Sequence, residues 1–166
     1  MDFNFNLLKP SATSVLLFNA IKARVFHRQS LGLMSISEMK KMYAADMEEL
    51  EKNRVFLIHK ASDGPSGHPV AFLVTKITTE GLAITMLGVV PERREQGFGY
   101  GILLQFLHAF AKDKPVPALW APIAPDNIAA LRIFTRLGFE AIGSVNDHFG
   151  PSRPAVALKW TDASKI

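Results

Sequence analysis

The sequence predicts an α/β protein, α+β in the order of its elements, built on a mixed, mostly antiparallel sheet of about seven strands flanked by about four helices. Three observations predict it. Short runs rich in Val, Ile, Leu and Phe are bounded by turn residues, and longer stretches carry apolar residues at helical spacing. Between Leu87 and Leu104 an apolar strand passes through a glycine-rich bend into a strongly apolar helix. With 166 residues, 48% hydrophobic and 20% charged, the chain is long enough for one well-buried core and too short for two comfortable domains. A single domain over 1–166 is expected.

Residues 3–8 read as a first strand stopped by Pro10, after which Leu17, Ile21 and Val25 recur at fourfold spacing and mark an amphipathic helix. Ser35-Ile36-Ser37-Glu38 has the form of a capping box opening a second helix, on which Met39, Tyr43, Met47 and Leu50 share a face. Residues 54–60 and 70–76 form the strands of a hairpin joined through Ser62-Asp63-Gly64-Pro65-Ser66-Gly67. Thr78-Thr79-Glu80-Gly81 makes a second tight turn, and 82–90 is the strand that runs into the bend.

The helix after the bend places Phe98, Ile102, Phe106 and Phe110 on one stripe with Leu103 and Leu107 beside it, which is the pattern of core packing. Lys114-Pro115-Val116-Pro117 ends it. Residues 118–121 make a short strand, and 127–137 the last helix, with Asn127 as its N-cap and Gly138 as its stop. Residues 140–144 and 155–160 close the sheet around a loop at 145–154.

The bend has the composition of an anion cradle. Gly97, Gly99 and Gly101 let the backbone turn its N–H groups toward an anion, the following helix presents free amides and partial positive charge, and Arg93 and Arg94 add full charges. Two nucleotide motifs are excluded by spacing. No Lys follows the glycines as a P-loop requires, and the third glycine falls one residue early for a dinucleotide fingerprint.

Arg94-Glu95-Gln96-Gly97-Phe98-Gly99 resembles the Arg/Gln-x-x-Gly-x-Gly/Ala signature of the GNAT superfamily of N-acetyltransferases, with Val89-Val90-Pro91 where that family ends its fourth strand. About thirty residues later, Asn127-Ile128-Ala129-Ala130 followed by Phe134 and Leu137-Gly138-Phe139 resembles the family's second signature. The resemblance implies a sheet splayed between its fourth and fifth strands, whose exposed edge takes the pantetheine arm of acetyl-coenzyme A as if it were another strand. Leu87, Gly88 and Val89 would line that arm. The amides of Arg94, Glu95, Gln96, Gly97, Phe98, Gly99 and Tyr100 would hold the pyrophosphate, Asn127 would bond the pantetheine portion, and Phe134 would sit near the sulfur.

The reaction so implied moves an acetyl group from acetyl-CoA to a primary amine by direct attack through a tetrahedral intermediate, with the Val89 N–H as the catalytic oxyanion donor. The acceptor is an amine-bearing small molecule or protein. In two places the sequence departs from the family's pattern. Phe134 stands where many members carry the Tyr that protonates the thiolate, and Pro122 and Ala83 stand where others carry a basic Glu.

Three readings follow. Proximity and ordered water serve in place of a base, which is the favoured one; Asp147, His148 or Glu80 acts as base; or the chain is a catalytically impaired acyl-CoA-binding sensor or interaction module.

Composition excludes other classes. A net charge of +4 is not gathered in one basic run, so no nucleic-acid partner is expected. The chain has no Cys, which removes disulfides and thiolate nucleophiles, and its five His are scattered, so no metal is expected. The apolar run at 15–18 is too short to span a bilayer and nothing basic precedes an apolar stretch in 1–10, which predicts a cytoplasmic protein off the membrane. A monomer or homodimer is expected. The acceptor is expected against the first two helices and the 145–154 loop, where Arg24, His27, Arg28, Glu48, Glu49, Asp147 and Arg153 give no single sign of charge.

Overall fold

The computed structural model describes residues 1–26, 35–64, 67–112 and 118–160. In chain order the elements are β1 (Phe3–Leu7), α1 (Ala12–Phe26), α2 (Ile36–Lys52), β2 (Arg54–Lys60), β3 (Ala71–Thr78), β4 (Gly81–Val89), α3 (Phe98–Lys112), β5 (Leu119–Ile123), α4 (Ile128–Arg136), β6 (Phe139–Val145) and β7 (Ala155–Trp160). The seven strands form a sheet in the order β1-β2-β3-β4-β5-β7-β6. β4 and β5 are parallel, Leu82 opposite Leu119 and Ala83 opposite Trp120, while β1–β2, β2–β3, β5–β7 and β6–β7 are antiparallel. This is the mixed, mostly antiparallel seven-stranded α/β architecture with four helices that the sequence predicts.

Two compact units make up the chain: Met1–Thr75 with Met86–Gly99, and Lys76–Thr85 with Tyr100–Ile166. In the first, Ala71 to Val74 of β3 are buried without alternation, as expected of an inner strand covered on both faces. Phe72 is its centre, with Phe18 and Phe26 of α1 edge-on at ring distances of 5.5 and 6.0 Å. Burial of the Phe72 and Phe18 rings, both fully covered, contributes about 1.5–3 kcal/mol each, while Phe26 stays 48% exposed.

The inward face of α1 differs from the expected one. Leu17 is 46% exposed, whereas Val15, Phe18, Ile21 and Val25 are buried with Ser14 and Asn19. A strict fourfold spacing drifts about 40° per step, so once Phe18 and Val25 define the buried line Leu17 falls outside it.

On α2 the capping box is present as read. The Glu38 N–H donates to Ser35 Oγ at 3.2 Å, and the Ser35 N–H and Oγ donate to Glu38 Oε2 at 2.8 and 2.7 Å. The face of α2 is less apolar than expected, because Tyr43 is exposed and Asp46 is buried beside Leu50. Asp46 is 3% exposed, accepts a hydrogen bond from Asn19 Nδ2 at 3.2 Å and pairs with Lys22 Nζ. A buried carboxylate needs such partners, and α1 supplies both.

In the second unit Ile102, Leu103 and Leu107 of α3 are buried, as are Leu119 and Ala121 of β5, Phe134 and Leu137 in and after α4, and Phe139 of β6. Phe110 is edge-on to Trp160 at 6.3 Å. The two indoles are satisfied, Trp120 Nε1 donating to Thr78 Oγ1 at 3.3 Å and Trp160 Nε1 to the Leu137 carbonyl at 3.0 Å. β5 runs two residues further than expected, to Ile123, because its pairing with β7 continues through Pro122 and Ile123.

β6 is the outer strand, and every residue after Phe139 is exposed. Its register slips between Ala141 and Gly143, leaving Ile142 as the extra residue of a bulge. The expected turn residues Pro65 and Ser66, the break at 114–117, and His27 and Arg28 lie outside the described residues. Among the described residues, no helix is long and apolar enough to cross a membrane.

Candidate functional site

The glycine bend occupies the first unit. β4 ends at Val89, and the Val90 N–H donates to the Val70 carbonyl at 2.9 Å. Pro91 then opens a 3-10 turn over Pro91–Arg93, where a fixed φ and a missing N–H suit the first helical position. Arg93 N–H donates to the Val90 carbonyl at 3.0 Å and Arg94 N–H to the Pro91 carbonyl at 3.1 Å.

Beyond this the chain takes left-handed backbone twice, at Glu95 (φ 60°) and Gly97 (φ 78°). For Glu95 that conformation costs about 1–2 kcal/mol. Gly97 avoids the cost, and a Cβ placed on it would meet nothing within 4 Å, so the glycine is demanded by backbone and its surroundings are open.

α3 starts immediately after, at Phe98, and its first-turn N–H groups have no acceptor within the helix. Residues 94–97 are exposed. Alternating backbone, exposed amides and the positive end of a helix dipole make a site suited to an anion such as a pyrophosphate, so the residues present fit coenzyme A.

Side chains around the bend hold it in place. Phe98 is buried, edge-on to Phe3 at 5.5 Å, and the Arg93 guanidinium lies over its ring at 5.6 Å. Gln96 Nε2 donates to the Glu92 carbonyl at 2.8 Å. Glu92 pairs with Arg24 of α1; a hydrogen bond from its own N–H, and next the Arg24 guanidinium, hold its carboxyl below the usual value of 4.5.

Arg94 has a different place from the one expected. Its Nε donates to the Val89 carbonyl at 3.1 Å, its Nη2 donates to the Val25 carbonyl of α1, and its amide is taken by Pro91. The two carbonyl ties at its guanidinium were not visible in sequence, since Val25 lies 69 residues away.

Along β4, Leu87 and Val89 are half-buried and Gly88 is buried. A Cβ on Gly88 would stand 2.4 Å from Phe72 Cε1 and 2.9 Å from Val25 Cγ1, so this glycine is required by the core behind the strand. In the second unit Asn127 caps α4, its Oδ1 accepting the Ala130 N–H at 3.1 Å, and it is exposed. Phe134 is 3% exposed with its ring edge-on to Phe139 at 4.9 Å. Tyr100, in the first turn of α3, lies under the Arg136 guanidinium at 4.6 Å, a pairing that no motif spacing announced.

The candidate bases are placed as follows. Asp147 has φ 51° and its Oδ1 accepts the Ser152 N–H at 2.5 Å, so it organises its own loop. His148 is exposed with its ring edge-on to Phe149, and Glu80 is exposed in the β3–β4 turn. Ala83 and Pro122, which the resemblance set at the positions of a Glu, are buried and have no ionisable group. Among the described residues no group of three or more His, Asp or Glu gathers as a metal-ligand set.

Comparison with known proteins bears on the fold and the family. A mycothiol acetyltransferase of Mycolicibacterium smegmatis is 33% identical over 86 residues, which is 50% of this chain and 29% of that protein's length. Among solved structures, the ribosomal-protein-S18-alanine N-acetyltransferase of Escherichia coli superposes with a TM-score of 0.65 at 20% identity, covering 95% of this chain and 92% of its own. A mutant of the spermidine N-acetyltransferase of Vibrio cholerae gives 0.65 at 12% identity, over 99% and 96% of the two chains. The model of the acetyltransferase (GNAT) family matches residues 24–139, most of the chain and both signatures, and the protein therefore belongs to the GNAT acetyltransferase family.

Proposed function

We propose that this GNAT acetyltransferase, acting as one domain over 1–166, moves an acetyl group from acetyl-CoA to a primary amine. The observation that carries the reading is the exposed turn at 94–97, with its two left-handed residues, delivering the chain into the open N-terminus of α3. Acetyl-CoA supplies the thioester.

The amides of Glu95 to Tyr100 hold the pyrophosphate. The backbone of Leu87, Gly88 and Val89 lines the pantetheine arm, and the Val89 N–H stabilises the oxyanion as the amine adds. Asn127 bonds the arm and Phe134 excludes water near the sulfur. The solved neighbours named for an alanine residue of a ribosomal protein and for spermidine share an amine acceptor, and this shared chemistry is what the proposal adopts.

The test is incubation of the purified chain with acetyl-CoA and a panel of amines, read as free thiol. Release with at least one amine is expected. Gly99→Trp should weaken CoA binding more than tenfold, with a far smaller effect on folding, because amide and phosphate must approach closely.

A second reading is favoured by the absence of a proton carrier at Ala83, Pro122 and Phe134, and makes the chain an acyl-CoA-binding sensor. Tight CoA binding with no thiol released by any amine would select it.

A further inference from the structure

We infer that Arg94 is a positioning residue: its guanidinium ties the carbonyl that ends β4 to a carbonyl in the last turn of α1, so that order imposed on the glycine bend is passed to the end of α1. The tie itself is independent of what occupies the bend. The statement that coenzyme A is what imposes the order rests on the proposed function.

Val25 belongs to the last described turn of α1, and its carbonyl accepts from a guanidinium at the end of the helix where the dipole favours a cation. The Arg94 fork meets this carbonyl with Nη2 and the Val89 carbonyl with Nε, the latter at 3.1 Å. A planar guanidinium fixes the relative position of two acceptors as an ammonium cannot.

The Arg94 main chain is locked too, through its amide on Pro91, and the next residue, Glu95, is held in left-handed backbone. A ligand that fixes 95–99 therefore fixes the direction of the Arg94 side chain, and through it Val25. A second tie runs alongside, from Arg24 of the same helical turn to Glu92 and, at 3.4 Å, to the Pro69 carbonyl.

The consequence is a linkage. Ligand at the bend steadies the end of α1, and anything that steadies the end of α1 raises affinity at the bend by the same factor. If the acceptor amine binds against α1, it binds more tightly once the cofactor is in place.

The test is amide hydrogen exchange on the full chain, with and without coenzyme A, for the wild type, Arg94→Ala and Arg94→Lys, with CoA affinity measured by calorimetry. Glu92→Gln serves as a control for the parallel tie. In the wild type, CoA should slow exchange at least threefold both at 96–100 and at Arg24 to Phe26. In Arg94→Ala, CoA should still slow 96–100 but leave Arg24 to Phe26 unchanged, with Lys intermediate. Equal slowing at α1 in wild type and Arg94→Ala, or slowing at α1 in neither while CoA binds, overturns the inference.

If the wild type binds no CoA, the cofactor reading fails, and the tie is then judged without ligand. Arg94→Ala should speed exchange at Arg24 to Phe26 at least threefold, and no change there removes the tie as well. Should Arg94→Ala not fold, the same comparisons are read from Arg94→Lys.

Discussion

Gly88→Ala places a methyl group 2.4 Å from the Phe72 ring, which is fully buried and edge-on to Phe18. The substitution should lower stability by about 1–3 kcal/mol, read as a shifted urea midpoint with an unchanged slope. Gly97→Ala meets no neighbour and suffers only its positive φ, so it should cost about 1–2 kcal/mol. Both glycines stand in or beside one motif, yet one answers to the core and the other to the turn. The sequence made the glycines visible but not this division, because Phe72 and Val25, which crowd Gly88, come from distant parts of the chain.

On the scale of elements, the first turn of α2 was legible because a capping box is local: donor and acceptor lie three residues apart. Ser35→Ala should destabilise the protein by about 1 kcal/mol. The Glu38 carboxyl is held below its usual value of 4.5, first by the Ser35 hydroxyl and then by the Ser35 N–H. A depressed carboxyl stabilises the fold above its unfolded value and loses that contribution as pH falls through its folded value. Acidification below about 4.5 should therefore loosen this turn, seen as faster amide exchange at residues 36–39, and Ser35→Ala should weaken the pH dependence without removing it, because the backbone N–H at position 35 still donates to Glu38.

The pairing of α1 with α2 was not legible, since Asp46 reads as a solvated helix residue until Asn19 and Lys22 are brought against it. Asp46→Ala leaves a largely buried ammonium without its partner and should cost about 3 kcal/mol in denaturant unfolding. The double change Asp46→Leu with Lys22→Met should recover much of the loss.

Over the whole molecule, the order of strands and helices could be read from alternation and turn residues to within about two residues at most boundaries, as local signals allow. The candidate site was legible as a pair of motifs. What each motif residue touches was not: Arg94 turned to two carbonyls and Phe134 to Phe139, through contacts that no spacing encodes.

The chemistry that the proposal leaves without a protein base has a measurable signature. An alkyl amine with a pKa of about 10.4 is neutral in roughly one molecule in 2,500 at pH 7, so the rate should climb with pH toward the acceptor's own pKa. A plateau starting near about pH 6–7 and removed by His148→Ala would instead place the imidazole in the reaction.

The bulge in β6 should bear on how this molecule meets its neighbours in a crowded solution. A solvated outermost ribbon bearing a single carboxylate, Glu140, invites addition of further chains along its open rim, and the kink at Ile142 spoils that template. Excising Ile142 would straighten the rim, and time-dependent light scattering at high protein concentration should then reveal a tendency to polymerise that the parent chain lacks.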